Sequence, residues 1–365
     1  MIIGVDGGAL SISDERLKLG VYWVNVNLLR ALGKLDKKNS YVIYSFIPID
    51  RELMNSFGPR MGNKVLRPAR GWFSLRLPLE LSMHPVDLFL GISQAIPNSS
   101  SCNIGIIYDL GFLHHPDAYP GSHNKLKQQT DAVVRKADAI IAISHAVKTD
   151  VEERYGLGDK KIRVAYPGVD KTFTSTGKRF IGRHPYFLFV GALKPGKNVP
   201  TLINGFAEFL RKQKKNYDLY LLGGEFWKDE RIDSEIVRLG LNSRIRKLGF
   251  VPDSQLASYY RGAVSFVSPS LYEGFCLPAI EAMACGCPVL GSTDGAMPEI
   301  VGNAGILIDP MDIEAMVNAM NALAGNEKLR KSYRRKGIIR AKQYSWDLFG
   351  KTIYRLIHDF ETQPS

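Results

Sequence analysis

The length of the chain, 365 residues, exceeds that of one typical hydrophobic core and predicts two domains. Its 45% hydrophobic and 23% charged residues are ordinary for a globular protein, and no stretch is apolar for long enough to cross a membrane. The formal net charge of +12 indicates an acidic partner, such as nucleic acid, an anionic lipid surface or a phosphorylated substrate. Because no nucleic-acid-binding signature accompanies that charge, we expect no nucleic-acid partner.

The N-terminus and the cysteines favour a cytoplasmic protein. Residues 2–6 predict a buried strand and lack the basic start and long apolar run of a signal peptide. The cysteines show no paired metal-binding spacing and fit buried thiols in a reducing compartment; they are Cys102, Cys276, Cys285 and Cys287. Adjacent histidines such as His114 and His115 rarely face one ion, so we expect neither a metal nor another cofactor.

Strands and helices alternate along the first half of the chain. After the strand at 2–6, strands are predicted at 41–46, 86–90, 103–108, 139–143 and 162–165, with helices at 21–32 and from Ser144 to Tyr155. Gly7, Gly8 and Gly20 bracket a flexible loop after the first strand. Tyr108 and Asp109 end another strand, where the Asp either orients a sugar hydroxyl or nucleophile, or caps a turn.

Two segments concentrate the positive charge. The earlier one mixes bases with Trp72 and Phe73, a composition typical of a membrane-surface segment; its bases are Arg60, Lys64, Arg67, Arg70 and Arg76. The later run, at 328–342, favours a solvated helical face.

A second alternating series follows a polar segment. Residues 171–184 lack apolar periodicity and predict an interdomain linker. Strands are then predicted at 186–190, 219–222, 245–248, 263–267 and 288–291, with helices at 199–210 and from 346. The series predicts an α/β protein with two doubly wound Rossmann-like domains, 1–170 and 185–345, that face a central cleft.

The run from Ser270 to Met283 is the most informative stretch. Gly274 tolerates unusual backbone angles and Pro278 suits a first helical turn, so the loop-to-helix junction predicts an anion site of unpaired N–H groups. Glu273 lies before that junction and Glu281 lies inside the helix after it. Carboxylates on both sides of a phosphate site predict hydroxyl recognition around a diphosphate, the layout of a nucleotide-sugar; chance placement on a solvated helix is the alternative.

Other strand ends of the second half carry compatible groups. Lys197, in a Gly/Pro-rich loop, is either a cation for a diphosphate or a surface lysine in a turn. Gly223 and Gly224 either let a base or ribose approach the backbone or form a plain turn. Val251 follows the next strand and could present backbone polar groups to a nucleobase.

These motifs resemble the retaining family 4 glycosyltransferases, the group 1 transferases with the GT-B architecture. The resemblance covers nearly the whole chain, from the first strand at 3–6 through interdomain landmarks at 140–144 and 167–170 to the phosphate loop at 190–198. Glu273 and Glu281 match the family's Glu-x7-Glu signature, which continues through residues 282–289, and Pro298-Glu299 and Ala304-Gly305 are also typical.

The resemblance implies a role for each residue of the motifs. Glu281 would hold the donor ribose hydroxyls, Glu273 would contact the transferred sugar, and Lys197 would neutralise the diphosphate. The backbone N–H groups of Gly274, Phe275, Cys276 and Leu277 would line the sugar and phosphate. The closing helix, 346–365, would pack back onto the first domain.

Two positions depart from the family pattern. Where the family has an Arg in the phosphate loop that starts at Gly191, this chain has Ala192 and Gly196, so Lys194 becomes the candidate extra cation. Where the family often has His before the acceptor-side Asp, this chain has Tyr108, which is not a near-neutral base and leaves Asp109 as the surviving residue.

We therefore expect metal-independent, retaining transfer of a hexose from a nucleotide-diphosphate sugar to a glycan or lipid-linked acceptor, in cell-surface polysaccharide or glycolipid synthesis. By resemblance GDP-mannose is the first expected donor, with UDP-hexoses next. The alternatives are a nucleotide-sugar epimerase or hydrolase on the same fold and a non-catalytic sugar-nucleotide-binding protein. The basic segment adds an expected peripheral location on the inner face of the plasma membrane.

Overall fold

A computed structural model describes residues 1–14, 17–18, 20–158, 161–224 and 229–362. These residues form two compact units. Unit 1 comprises residues 1–110, 122–168 and 345–365, and unit 2 comprises residues 111–121 and 169–344. The predicted loop 7–20 and the predicted closing helix 346–365 each include positions outside the described residues.

The strands are β1 Ile2–Asp6, β2 Ser40–Ser45, β3 Met61–Val65, β4 Leu88–Gly91, β5 Cys102–Ile107, β6 Ala139–Ala142, β7 Ile162–Val164, β8 Tyr186–Val190, β9 Asp218–Leu222, β10 Ile245–Gly249, β11 Ser265–Ser268, β12 Val289–Ser292 and β13 Gly305–Ile308. The helices are α1 Gly20–Leu35, α2 Arg51–Phe57, α3 Leu77–Met83, α4 Gly111–His114, α5 His123–Lys136, α6 His145–Tyr155, α7 Val199–Arg211, α8 Arg231–Arg238, α9 Asp253–Gly262, α10 Leu277–Ala284, α11 Met297–Val301, α12 Ile313–Gly325, α13 Glu327–Ala341 and α14 Trp346–Thr362.

Unit 1 is built on a parallel sheet in the order β3-β2-β1-β4-β5-β6-β7. The predicted strands and the helix capped by Ser144, whose hydroxyl accepts from the Val147 N–H at 3.1 Å, are confirmed. Strand β3 was not predicted, because its sequence, MGNKV, has only two apolar residues and forms the edge of the sheet. The strand order reverses between β1 and β4, the kind of position where ligands bind in such sheets.

Unit 2 repeats the architecture with the order β10-β9-β8-β11-β12-β13, also parallel throughout. Its core is aromatic and aliphatic: Phe187 and Phe189 of β8 pack with Phe206 and Phe209 of α7. The amphipathic spacing of α7 places these apolar side chains on one buried face. The order reverses between β8 and β11, which makes the ends of these two strands the switch point of unit 2.

The prediction of a linker at 171–184 is wrong, because this segment is anchored on α9 within unit 2. The ring of Phe180 stacks on that of Tyr259 with centroids 4.2 Å apart, and the Phe180 N–H donates to the Ser258 carbonyl at 2.9 Å. Phe173 packs edge-on against Tyr260 at 6.0 Å. Two isolated aromatic residues therefore fix a segment that has no apolar periodicity.

The closing helix α14 packs against α1 within unit 1. Gly350 permits this approach, because a Cβ at that position would lie 2.4 Å from the Cβ of Ala31. The chain enters α14 next to Gly168, where a Cβ would lie 2.1 Å from the Trp346 nitrogen. The last helix, α14, and the first helix, α1, therefore pack together in unit 1.

The late basic run forms α13, but it is only partly a solvated face. Arg334 donates to the Ser175 carbonyl at 3.0 Å, and Arg340 donates to the Ile300 carbonyl at 3.0 Å. Both arginines therefore bind α13 to neighbouring segments of unit 2. None of the helices in the described ranges is long and apolar enough to cross a membrane.

Candidate active site

Lys197 and Glu273 meet because β8 and β11 are neighbours at the switch point of unit 2. The loop after β8 carries Lys197 at the end of a 3₁₀ turn, Pro195–Lys197, and the loop after β11 carries Glu273. The Leu271 N–H donates to the Gly196 carbonyl at 3.0 Å and ties the two loops together. Both residues were predicted from the sequence as site residues, but the contact between them was not predicted.

The Lys197 ammonium and the Glu273 carboxylate form an ion pair. The Ser270 hydroxyl also donates to Glu273, at 2.6 Å. Burial alone would raise the pKa of Glu273, but Lys197, Ser270 and Lys194 outweigh it and hold the pKa below its usual range. Glu273 is therefore an ionised hydrogen-bond acceptor. Lys197 is a cation at the ends of β8 and β11, with 18% of its side chain exposed.

The backbone of Glu273 is fixed from behind by the segment after β12. The Ala296 N–H donates to the Glu273 carbonyl at 2.8 Å. Gly295 has φ 61°, and a Cβ there would lie 2.4 Å from the Glu273 carbonyl oxygen, so only glycine fits. Gly295 is a positioning residue that the sequence analysis missed; its signal is the pair Asp294-Gly295, which begins two residues after the end of the buried strand β12.

Helix α10 begins at Leu277, with the strained residue Cys276 as its N-cap. Cys276 has φ 70° and ψ 72°, left-handed angles that a residue with a Cβ rarely adopts. The sequence pointed to Gly274 for unusual angles, whereas the left-handed conformation falls on Cys276, whose thiol pKa burial raises to about 12. Strain of this kind persists where the surrounding structure imposes it, and is typical of ligand-binding loops.

Glu281 lies in α10 and faces other acidic groups. The Tyr260 hydroxyl donates to Glu281 Oε2 at 3.0 Å. Burial raises the pKa of Glu281 to about 8, with further contributions from Asp253 and Asp170 that exceed what the Tyr260 hydrogen bond offsets. The structure thus gives the two signature carboxylates opposite electrostatic settings.

Glycines line the ends of the strands next to β8. A Cβ at Gly223, whose φ is 139°, would lie 2.0 Å from the Gly191 carbonyl oxygen, so the turns after β8 and β9 touch backbone to backbone. The Gly223 N–H donates to the Gly249 carbonyl at 2.8 Å, which brings the loop that carries Val251 into the same row. Gly191, Gly223 and Val251 therefore follow three adjacent strands.

Residues 111–121 bring further aromatic and basic groups to this end of unit 2. The His114 ring stacks on Tyr272 with centroids 4.8 Å apart, and His115 Nε2 lies 3.1 Å from the Leu271 carbonyl oxygen. The Lys194 ammonium lies 5.4 Å from the Tyr119 ring centroid, a cation–π contact. The sequence analysis considered His114 and His115 only as metal ligands, although they follow Asp109 by five and six residues in the same strand-end segment.

Tyr108 is a buried member of the unit 1 core. Its hydroxyl donates to the Ile92 carbonyl at 2.7 Å and lies 2.9 Å from the Asn25 amide, and burial raises its pKa well above the usual value. The Tyr108 N–H donates at 2.9 Å to Gln94, whose own amide donates to the Asp109 carbonyl at 3.3 Å. Tyr108 thus supports the backbone beside Asp109.

The other predicted acceptor-side residues lie around the switch point of unit 1 or at the start of α1. Gly7 and Gly8 follow β1, and the Gly8 N–H donates to Asp6 Oδ1 at 2.9 Å. Burial raises the pKa of Asp6 to about 6, against the hydrogen bonds from Gly8 and Ser93. Gly20 is the exposed first residue of α1. Asp6 was missed as a site candidate, although a carboxylate at the end of a buried strand was a visible signal.

The earlier basic segment is more ordered than its composition suggested. Trp72 and Phe73 pack against the core of unit 1, and Lys64 pairs with Glu80. The exposed apolar residues lie further on: Leu75, Leu79 and Met83 are 72%, 47% and 54% exposed and are spaced four residues apart. The exposed bases Arg67 and Arg70 precede this stripe along the chain.

Comparison with known families decides the affiliation. The family model "Glycosyl transferases group 1" matches residues 170–340, and the model "Glycosyltransferase Family 4" matches residues 64–173, so that the two together span 64–340. The chain belongs to the group 1 glycosyltransferase family. Its α/β architecture with two parallel sheets is that of the GT-B enzymes, as predicted.

This chain is similar to one curated relative and to two solved structures, to the structures in fold alone. It is 36% identical over 162 residues to the O-antigen chain mannosyltransferase B of Escherichia coli, covering 44% of this chain and 42% of that protein. Among solved structures, it is similar to the sucrose-phosphate synthase of Thermosynechococcus elongatus, with 20% identity, 98% of both chains covered and a TM-score of 0.79. Anabaena HepE in complex with UDP-glucose has 17% identity, 98% and 99% coverage and a TM-score of 0.74.

Proposed function

We propose that this glycosyltransferase moves a hexose from a nucleotide-diphosphate sugar to a hydroxyl of a glycan or lipid-linked acceptor, with retention of the anomeric configuration. The observation that carries the proposal is the Lys197–Glu273 ion pair at the switch point of unit 2, where Glu273 lies in the loop that leads into α10, the helix that contains Glu281. A cation for the leaving diphosphate and an ionised acceptor for sugar hydroxyls are thereby held side by side.

The proposed reaction is a same-face displacement at the anomeric carbon. The bond from that carbon to the diphosphate oxygen breaks, the acceptor oxygen forms the new bond on the same face, and the acceptor's proton passes to the diphosphate. Lys197, Lys194 and the N–H groups at the start of α10 stabilise the charge that develops on the diphosphate. With these cations in place, we propose that transfer needs no divalent metal.

Each remaining residue takes a binding role in this proposal. Glu281 accepts hydrogen bonds from the ribose, Glu273 accepts from the transferred hexose, and Gly191 and Gly223 let the nucleotide approach the backbone. Asp109 and its supporting residues in unit 1 belong to the acceptor side. Because the related protein of Escherichia coli is a mannosyltransferase, GDP-mannose is the first donor to test, followed by UDP-hexoses.

The experiment that tests the proposal separates transfer from its alternatives. GDP-mannose is incubated with the enzyme in the presence and absence of an oligomannoside acceptor, and UDP-glucose is tested in parallel. We expect donor consumption to depend on the acceptor. Consumption of donor alone would favour the epimerase or hydrolase, and tight donor binding without turnover over a broad acceptor panel would favour the sugar-nucleotide-binding protein.

We also propose that unit 1 binds an anionic membrane surface through the stripe of Leu75, Leu79 and Met83. Apolar side chains at this spacing, with bases such as Arg67 and Arg70 close by in the chain, are the components of interfacial membrane binding. A lipid-linked acceptor would be met at such a surface.

Vesicle binding tests the membrane proposal. We expect co-sedimentation with vesicles of phosphatidylglycerol at low salt, weakened by high salt and by Leu75→Ser/Leu79→Ser. The matched control is Ile181→Ser, which removes an apolar side chain that is 89% exposed in unit 2. Equal sedimentation of the two variants would contradict the role of the stripe.

A further inference from the structure

Unit 1 contains a cavity that the proposed donor chemistry does not use. Its volume is about 360 Å³, within the range of small-molecule sites. It lies beyond the carboxyl ends of the strands of unit 1: Trp72 and Phe73 come from the segment after β3, and Ile96 from the segment after β4. Ligands of parallel α/β sheets bind at these ends.

Two walls of the cavity differ in chemistry. One is aromatic and apolar, with Trp72, Phe73 and the buried Ile96. The other is a single face of α5, where Lys125, Gln128 and Gln129 recur at helical spacing. A pyranose ring has the same division, with C–H groups on its faces and hydroxyls on its rim. Side-chain amides both donate and accept, as hydroxyls do.

The aromatic wall is held in place by its surroundings. The Trp72 ring lies 5.6 Å from that of Phe46, and Gly8 leaves room for it, since a Cβ there would lie 2.7 Å from Trp72 Cζ2. The segment Trp72–Arg76 is a π-helical turn, a rare conformation that is often found at functional sites. A fixed aromatic face costs little entropy when it binds a ligand.

We propose that this cavity binds a sugar residue of the acceptor glycan, a proposal that rests on the transferase function above. The lining has no carboxylate, and Lys125 lets the residue carry a negative charge such as a uronate or a phosphate. A purely hydrocarbon ligand would make no hydrogen bond to the polar side chains on α5, whereas the hydroxyls of a saccharide would pair with them.

Saturation-transfer NMR without any donor tests the cavity directly. The probes are methyl α-D-mannopyranoside, an oligomannoside and geranyl phosphate. We expect the mannosides to receive saturation from the wild-type protein, and Gln128→Ala/Gln129→Ala to abolish this. Lys127→Ala is the matched control, because Lys127 lies on the same helix but pairs with Asp131 outside the cavity.

Kinetics then separate the cavity from the donor site. We expect the Gln128→Ala/Gln129→Ala variant to raise the acceptor KM at least tenfold, with donor affinity unchanged. Trp72→Leu serves as a second variant, from the opposite wall. Binding of geranyl phosphate alone, of no probe, or equally by the variants would overturn the saccharide assignment. Failure of the transferase function would appear differently, as mannoside binding that persists while no donor is consumed.

Discussion

At pH 9, the Glu281→Gln variant is expected to bind a nucleotide-sugar about 10- to 100-fold more weakly than the wild type, since it loses the charge-assisted hydrogen bonds that ionised Glu281 makes to the ribose. At alkaline pH, the same variant is expected to be more stable against unfolding than the wild type. Burial raises the pKa of Glu281 to about 8 from the usual 4.5, so the folded protein retains a proton that the unfolded chain releases. Stability from this group is therefore present below pH 4.5 and lost as the pH rises through 8.

A glutamine cannot ionise, so the substitution removes this pH-dependent loss. The difference in melting temperature between Glu281→Gln and the wild type should become more positive from pH 5 to pH 9, in the absence of donor. Donor affinity of the wild type should rise over the upper part of that range, as Glu281 ionises, and that of the variant should not. The matched control is Glu314→Gln, an exposed position in α12.

A gain in stability joined to a loss of binding is the signature of a residue kept for function. If the melting-temperature difference stayed constant with pH, the electrostatic setting assigned to Glu281 would be wrong. If donor affinity stayed at the wild-type level, its assignment to the ribose would be wrong.

The Lys197→Met variant is expected to lose about 10²- to 10³-fold in kcat, the usual cost of one group that stabilises transition-state charge. It also leaves the Glu273 carboxylate without its ion-pair partner. Because 18% of the Lys197 side chain and 11% of the Glu273 side chain are exposed, we expect destabilisation near the lower limit for a buried pair, roughly 3 kcal/mol. Denaturant unfolding and steady-state kinetics measure the two effects.

A double variant separates catalysis from stability. Replacement of both charges, Lys197→Met/Glu273→Leu, should recover much of the lost unfolding free energy, because no unpaired carboxylate remains, while kcat stays low. Lys331→Met is the matched control, since it breaks the exposed pair with Glu327 and should change neither quantity. Recovery of kcat in the double variant would show that Lys197 serves only to neutralise Glu273.

The sequence predicted the alternation of strands and helices well, because the buried parallel strands are continuous apolar runs such as Tyr186–Val190. The edge strand β3 and the packing of segment 171–184 on α9 were not predicted, since neither segment is a continuous apolar run. Apolar periodicity in a sequence arises where regularly spaced residues of one element are buried on the same face. A single packed residue such as Phe180 produces no such periodicity.

The candidate site was predicted as a set of residues, but not as contacts. The Lys197–Glu273 pair depends on β8 and β11 being neighbours, a pairing across a long stretch of sequence. The left-handed angles of Cys276 and the support of Glu273 by Gly295 likewise arise from tertiary packing. Tyr108 departs from the family pattern. Its role in the core of unit 1 became visible only from the hydrogen bond that its buried hydroxyl donates to the Ile92 carbonyl.

The central claim is retaining transfer from a nucleotide-sugar, and the configuration of the product tests it most directly. Proton NMR of the glycan formed from GDP-α-mannose and an oligomannoside acceptor reports the anomeric configuration of the new linkage. We predict an α-linked product. A β-linked product would contradict the same-face mechanism assigned to this site.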